Sequence, residues 1–196
     1  KALTMNLQKR NFLVAGASLA AITALSACTT TGSGSGDPAA QRKALDAASD
    51  SALSRLYTQQ PGSQELLNSA RGVLVFPSFG TAGFLIGGGT GTGVLRKGGK
   101  TASYHRMTEA SVGLLAGAQS QAVFILFMTE EALKRFEASS GWTVGADANV
   151  TMLNVGANAQ VTSQTARQDV IGFVMTNRGL MGNLSLNGNR VTRLDI

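Results

Sequence analysis

The sequence predicts an α+β fold: an antiparallel, strand-rich sandwich or partly closed barrel with an N-terminal helix and two short helices. From Gly72 onward, short apolar runs are separated by turns rich in glycine and asparagine, which is typical of a β-rich chain. Before Gly72, apolar residues recur at helical spacing. The 196 residues, of which 43% are apolar, allow one domain with a buried core and an additional tail.

Composition restricts the chemistry. Cysteine and histidine each occur once, so neither a disulfide within the chain nor a zinc site of Cys and His ligands can form. These counts disfavour a metalloenzyme and a cysteine–histidine hydrolase. The formal charge of +6 suggests an anionic partner.

The first 27 residues have the pattern of a signal peptide. Lys9 and Arg10 precede a charge-free segment over residues 11–27, which is short for a membrane-spanning helix of roughly 20 residues. Residues 8–13 resemble a twin-arginine signal with lysine in place of the first arginine. The general secretory route and the twin-arginine route are therefore both open.

Residues 25–28, Leu-Ser-Ala-Cys, resemble the lipobox of bacterial lipoproteins. We expect cleavage before Cys28, a diacylglycerol on its thiol and an acyl chain such as palmitate on its amine, with no other cofactor. Several acyl chains give stable anchoring, whereas one chain binds a membrane only marginally. Thr29 replaces the aspartate that retains many lipoproteins in the inner membrane. The sequence thus predicts an envelope protein anchored in the outer membrane and facing the periplasm.

Residues 28–36 combine the predicted lipidated cysteine with a Thr/Gly/Ser run that is typical of a flexible tether. The predicted domain occupies residues 37–196. Cleavage before Cys28 leaves 14 basic residues against 11 acidic ones, a formal charge of +3. Half of the net positive charge therefore belongs to the predicted export signal.

The domain is predicted to begin with a helix. Asp37 and Pro38 suit the N-cap and first position, and the helix should end between Tyr57 and Gln60. One stripe carries Leu45, Ala48, Ala52 and Leu56. This helix packs on the domain or touches lipid. Ser63 is the predicted cap of a second, short helix over residues 64–69.

The strands follow in order. We predict a strand over residues 73–76 that ends at Pro77, a glycine-rich segment within 82–95, a hairpin turn over 96–100, and a return strand over 101–107. Residues 122–128 are all apolar and predict a strand buried on both faces. Thr129 is the predicted cap of the third helix, which ends at residues 139–141.

A near-repeat follows this helix. The pattern of residues 144–150 recurs at 155–161 and predicts two half-exposed strands with a turn near 152–154. Further strands are predicted at 170–176, 180–186 and 190–194, the last preceded by a turn at 187–189.

No catalytic or metal-binding residue is predicted. The glycine-rich segment lacks the Gly-Lys-Ser/Thr of a phosphate loop. His105 is interpreted as a strand histidine, with an unmarked hydrolase as the alternative. Arg96, Lys97 and Lys100 at the hairpin tip are either solubilising or contacts for anionic head groups, where each charge contributes roughly 1 kcal/mol.

Several motifs, in order, resemble the SYLF domain. They are residues 71–77, 82–84, 87–88, 93–95, 113–120, 127–129, 132–133, 141–142, 155–157 and 179–181. The resemblance covers about residues 40–196 and is closest to the bacterial lipoprotein branch.

Eukaryotic SYLF proteins bind phosphoinositides, and some bind actin. The family's lipid binding is credited to an N-terminal amphipathic helix and basic residues, which by position implicates Arg42, Lys43 and Arg55. For a periplasmic protein the resemblance implies membrane lipid as partner, with no actin and no nucleic acid expected and any protein partner unknown. We therefore expect a non-enzymatic, lipid-interacting lipoprotein. The alternative is an envelope scaffold that uses its acyl anchor only for placement.

Overall fold

The computed structural model describes residues 37–83, 86–112, 117–155, 165–176 and 186–196. Asp37–Ile196 forms one compact unit. The predicted signal peptide, Cys28 and the tether lie outside the described residues. So do residues 156–161 of the second repeat and 180–185 of a predicted strand.

The helices in the described residues are α1 (Pro38–Gln59), α2 (Ser63–Ser69) and α3 (Glu130–Ala138), with a short 3-10 helix at Thr165–Arg167. The predicted caps of α1 and α3 are confirmed. The Asp37 carboxylate accepts a hydrogen bond from the Ala39 amide at 3.0 Å, and the Thr129 hydroxyl accepts one from the Ala132 amide at 3.3 Å.

The predicted cap of α2 is wrong. Gly62 occupies the N-cap position with a positive φ of 85°, a backbone conformation that glycine adopts without strain. Ser63 is the first residue of the helix instead. Its side chain is buried and its hydroxyl donates to the Leu56 carbonyl oxygen of α1 at 3.5 Å.

The strands of the described residues form one curled sheet, a half-barrel, which agrees with the predicted partly closed barrel. In chain order they are β1 (Gly72–Gly83), β2 (Ile86–Lys97), β3 (Lys100–Val112), β4 (Gly117–Phe127), β5 (Trp142–Thr143), β6 (Thr151–Asn154), β7 (Val170–Thr176) and β8 (Arg190–Leu194). Their order across the sheet is β5-β8-β3-β2-β1-β4-β7-β6. Only the β6–β7 pair among these eight described strands is parallel.

β1 does not end at Pro77 as predicted. Its register shifts between Val75 and Ser78 against β2, and between Phe76 and Phe79 against β4. This irregularity accommodates Pro77, which lacks a backbone N–H and could not continue a regular ladder. The strand therefore runs on to Gly83.

The first copy of the near-repeat, residues 144–150, also differs from the prediction. Residues 144–148 form a turn closed by a bridge between Val144 and Ala148, and the strand falls at Thr151–Asn154, where the turn was predicted. Gly145 has a φ of 85°, and the Asp147 carboxylate accepts from the Thr143 amide at 2.6 Å. These local bonds offer the backbone an alternative to the ladder.

β4 is buried on both faces of the sheet, as predicted for residues 122–128. Alternate residues of β4 enter two hydrophobic clusters. One cluster joins the sheet to α3 through Leu133 and Phe136, and the other joins it to α1 and α2 through Leu56 and Leu66. Both clusters lie within Asp37–Ile196, so this unit has a hydrophobic core of its own, as an independently folding domain requires.

β8 holds one side of the sheet together. It lies between β3 and β5, pairing Tyr104 of β3 with its own Leu194 and Trp142 of β5 with Val191. β5 therefore joins the sheet only through β8, within the part of the chain that the structure describes. Across residues 37–196, apart from the gaps given above, no helix is long and apolar enough to cross a membrane.

Candidate functional site

The β2–β3 hairpin has the predicted Gly-Gly tip. Gly98 and Gly99 have positive φ values of 57° and 78°. Two consecutive residues of this kind suit the tight turns that match the twist of paired strands. The turn places Arg96, Lys97 and Lys100 together at the end of the hairpin, as the sequence predicts.

Arg96 points to α1. Its Nη1 donates to Asp50 Oδ1 at 2.5 Å, and its Nη2 donates to the Asp46 carbonyl oxygen at 3.1 Å. The side chain is only 13% exposed. Arg96 therefore fastens α1 to the sheet and is not available at an open basic tip.

Lys97 points to the opposite helix layer. Its Nζ donates to both carboxylate oxygens of Glu137 in α3, at 2.9 and 3.2 Å. Successive residues of a strand face opposite sides of a sheet, so adjacent cations reach different helices. We call Arg96 and Lys97 the hairpin clamp.

Asp46 completes the attachment of α1. Its carboxylate accepts from Thr101 Oγ1 at 2.9 Å and from the Tyr104 hydroxyl at 3.2 Å. Burial raises the pKa of Tyr104, and its hydrogen bond to Asp46 raises it further. The hydroxyl thus stays protonated and able to donate to Asp46.

The structure does not assemble the six predicted lipid-binding residues into one patch. Arg96 and Lys97 are engaged in the clamp, and Arg42 Nη1 donates to the Ile196 backbone oxygen at 2.5 Å. Arg55 on α1 is half-buried. The exposed remainder is Lys43 on α1 and Lys100 on β3.

A groove of about 470 Å³ lies between the N-terminal half of α1 and the sheet. Its lining is Gln41, Ala44, Leu45, Ala48, Pro77, Ser78, Thr92, Arg106, Leu194 and Ile196. Six of these ten residues are apolar, and Arg106 is the only charged one. We call this the α1 groove.

Sequence reasoning missed Arg106. It lies two residues after Tyr104 on β3, so both side chains are on the sheet face that carries α1. Arg106 is exposed, whereas Tyr104 bonds Asp46. The alternation of β3 could have indicated this placement, but only once α1 was known to cover that face.

Two other clefts contain side chains of both charges. One of about 380 Å³ lies between α1, α2 and the hairpin, and it contains the bonded pair Asp50 and Arg96. The other, of about 360 Å³, lies beside α3 and contains Arg135 with Asp147 and Asp169. Of these three, only the α1 groove is lined by a basic side chain and by no acidic side chain.

His105 lies on the α3 face and is 7% exposed. Its Nε2 is 2.8 Å from Ser103 Oγ, and its ring lies 5.0 Å from that of Phe136. The imidazole also bonds the Thr192 backbone. A backbone group, rather than a carboxylate, therefore orients the Ser103–His105 pair.

We expect acid to destabilise the domain through His105. Burial, and then the Arg193 charge, lower the His105 pKa from 6.5 to about 4, although Glu137 and the bond to Thr192 oppose this. The unfolded chain takes up its proton near pH 6.5 and the folded chain only near pH 4, so stability falls between these values as pH is lowered. The loss by pH 4 should be about 2 kcal/mol after allowance for solvent screening.

Urea unfolding between pH 7 and pH 4 measures this effect. The control is the His105→Gln variant, which retains the titrating carboxylates but lacks the imidazole. The difference in stability between the two proteins should change across this window. Parallel pH profiles would show that His105 does not contribute.

The described residues contain no group of three or more His, Cys, Asp or Glu side chains arranged to hold a metal ion. Residues 108–195 match a protein-family model described as "Ysc84: Las17-binding protein actin regulator". The match begins within β3 and continues to β8. No curated protein matches the chain at a significant level.

Proposed function

Residues 108–195 belong to the SYLF (Ysc84) family, as the sequence motifs indicated, and from this premise we propose a lipid-interacting domain in a non-enzymatic outer-membrane lipoprotein. The lipobox at residues 25–28 supports acylation of Cys28. The domain would face the periplasm on the tether of residues 28–36. Membrane lipid with anionic head groups would be its partner.

The observation that carries this proposal is the charge left exposed after folding. Lys43 on α1 and Lys100 at the hairpin are exposed, and neither takes part in the ion pairs of the described residues. Each such charge contributes roughly 1 kcal/mol near an acidic membrane. Binding through these residues is therefore peripheral and sensitive to salt.

α1 does not present an apolar face to a membrane. Its buried residues, Ser49, Ala52 and Leu56, pack on the rest of the domain. Among the described residues, Tyr57 is the only large hydrophobic side chain classed as exposed, at 37%. The exposed side chains of α1 thus suit contact with lipid head groups better than insertion of the helix into the acyl region of a membrane.

Sedimentation with vesicles tests the proposal. Residues 37–196 should pellet with phosphatidylglycerol vesicles at low salt and stay in solution with phosphatidylcholine vesicles. Lys100→Gln should weaken binding about fivefold, equivalent to about 1 kcal/mol.

Lys97→Gln is the matched control, because it removes the same charge from the same hairpin but from an ammonium held by Glu137. Equal weakening by both variants would show that vesicle binding depends on the net charge of the domain and not on Lys100 itself. Failure to pellet even at low salt would exclude recognition of a membrane surface by the domain. Acylation is checked separately, since incorporation of labelled palmitate should be lost in Cys28→Ser.

A second candidate function is protein binding, which the family description favours because it names a protein that binds Las17 and regulates actin. We propose no contact with actin for a periplasmic lipoprotein. In this second function the protein would be an envelope scaffold, and its acyl anchor would serve only to hold it at the membrane. Crosslinking in cells distinguishes the two functions. A scaffold should give a specific crosslink to an envelope protein and no vesicle binding.

A further inference from the structure

The α1 groove combines the two features that an amphiphile requires. Its apolar lining comes from both sides, with Leu45 and Ala48 on α1 and Leu194 at the end of β8. Pro77 adds to the sheet side, where the β1 irregularity interrupts the ladder. The volume of about 470 Å³ is within the range of small-molecule sites, roughly 300–1,000 Å³.

The polar features of the groove are few and of one sign. Arg106 is exposed, makes no ion pair with a described residue, and lies opposite Thr92 of β2 in the sheet register. Ser78 and Thr92 add hydroxyl groups. The guanidinium of Arg42 is close by, since it donates to the backbone oxygen of the lining residue Ile196.

The acidic residues of α1 nearest to the groove are engaged elsewhere. Asp46 accepts from Thr101 and Tyr104, and Asp50 accepts from Arg96. No acidic side chain lines the groove itself. The side chains present therefore complement an anion at Arg106 and a hydrocarbon along Leu45 and Ala48.

We propose that the α1 groove binds a single-chain amphiphile with an anionic head group, such as a fatty acid. The head group pairs with the Arg106 guanidinium, which can offer two parallel N–H donors to a carboxylate. The alkyl chain lies between α1 and the sheet. This site deepens, and rests on, the lipid interaction proposed above, because it names the class of lipid that the domain holds.

Titration with dansylaminoundecanoic acid, a fluorescent fatty acid, tests the site in solution without vesicles. Residues 37–196 should bind the probe in a saturable manner. Ala48→Trp fills the groove from α1 and should weaken binding by at least about tenfold. Ala47→Trp is the matched control, because Ala47 is exposed on the same helix but does not line the groove.

The head-group contact is tested with Arg106→Gln. This variant should bind the acid about three- to fivefold more weakly, as expected for an exposed ion pair. Its affinity for the uncharged dansylaminoundecanol should be unchanged. Circular dichroism of each variant confirms that the fold is retained.

The outcomes separate this site from the wider proposal. Absence of saturable binding, or equal loss in Ala47→Trp and Ala48→Trp, would overturn the groove assignment, and vesicle sedimentation would be unaffected. Probe binding that is lost only in Ala48→Trp supports the site. If the same protein then fails to pellet with vesicles, the result supports the groove as a binding site and contradicts recognition of a membrane surface.

Discussion

Replacing Phe136 with alanine is expected to lower the free energy of unfolding by about 4 kcal/mol. Phe136 is 3% exposed and is one of the residues through which α3 enters the core. Its ring centroid lies 4.8 Å from that of Phe127 and 5.5 Å from that of Trp142. Truncation removes the buried ring and leaves a cavity beneath α3 that these neighbours fill only partly.

Phe136→Leu is the matched control, since it keeps an apolar side chain in the same place but loses the aromatic contacts. We expect it to cost about 1–2 kcal/mol. Urea unfolding followed by circular dichroism and by Trp142 fluorescence measures both variants. A loss below about 1 kcal/mol in Phe136→Ala would contradict the packing of α3 against the sheet.

A second large effect is expected for Gly93→Ala, with a loss of about 3 kcal/mol. A Cβ at this position in β2 would collide with the Phe76 ring and would lie 2.6 Å from the Val75 carbonyl oxygen. Phe76 is fully buried, and the Val75 oxygen belongs to the backbone of β1. Neither can move aside without a shift of the strand.

Gly80→Ala provides the comparison within the same sheet. A Cβ there would find its nearest neighbours at 4.0 Å, the backbone oxygens of Gln119 and Thr90. Gly80→Ala should therefore be neutral or stabilising by up to about 1 kcal/mol. Thermal unfolding of the two variants tests the prediction. Equal melting temperatures would show that β2 does not approach β1 as closely as the structure places it.

The elements that the sequence predicts correctly depend on local signals. Asp37 and Thr129 begin helices because their side chains accept hydrogen bonds from amides of the first helical turn, and Pro38 suits the first helical position. The apolar run at residues 122–128 predicts a strand covered on both faces because no alternation is present. The Gly98-Gly99 tip likewise contains its whole signal in two residues.

The elements that it misses depend on partners far along the chain. Arg96 and Lys97 appear from sequence as a free basic tip, whereas their partners Asp50 and Glu137 lie 46 and 40 residues away, in opposite directions along the chain. At residues 144–150 the alternating pattern is that of a strand, yet the bond from the Thr143 amide to Asp147 closes a turn. The α1 groove could not be predicted, because it exists only once α1 lies beside Arg106.

The position of β8 bears on how the chain is made. The side of β3 that faces away from β2 pairs only with β8, and the partners Tyr104 and Leu194 are 90 residues apart in the chain. During synthesis, this side of β3 therefore stays open until residues 190–194 have left the ribosome, after the other described strands. Pairings of such long range form slowly. A nascent chain therefore completes its described sheet only after nearly all of residues 37–196 have been synthesised.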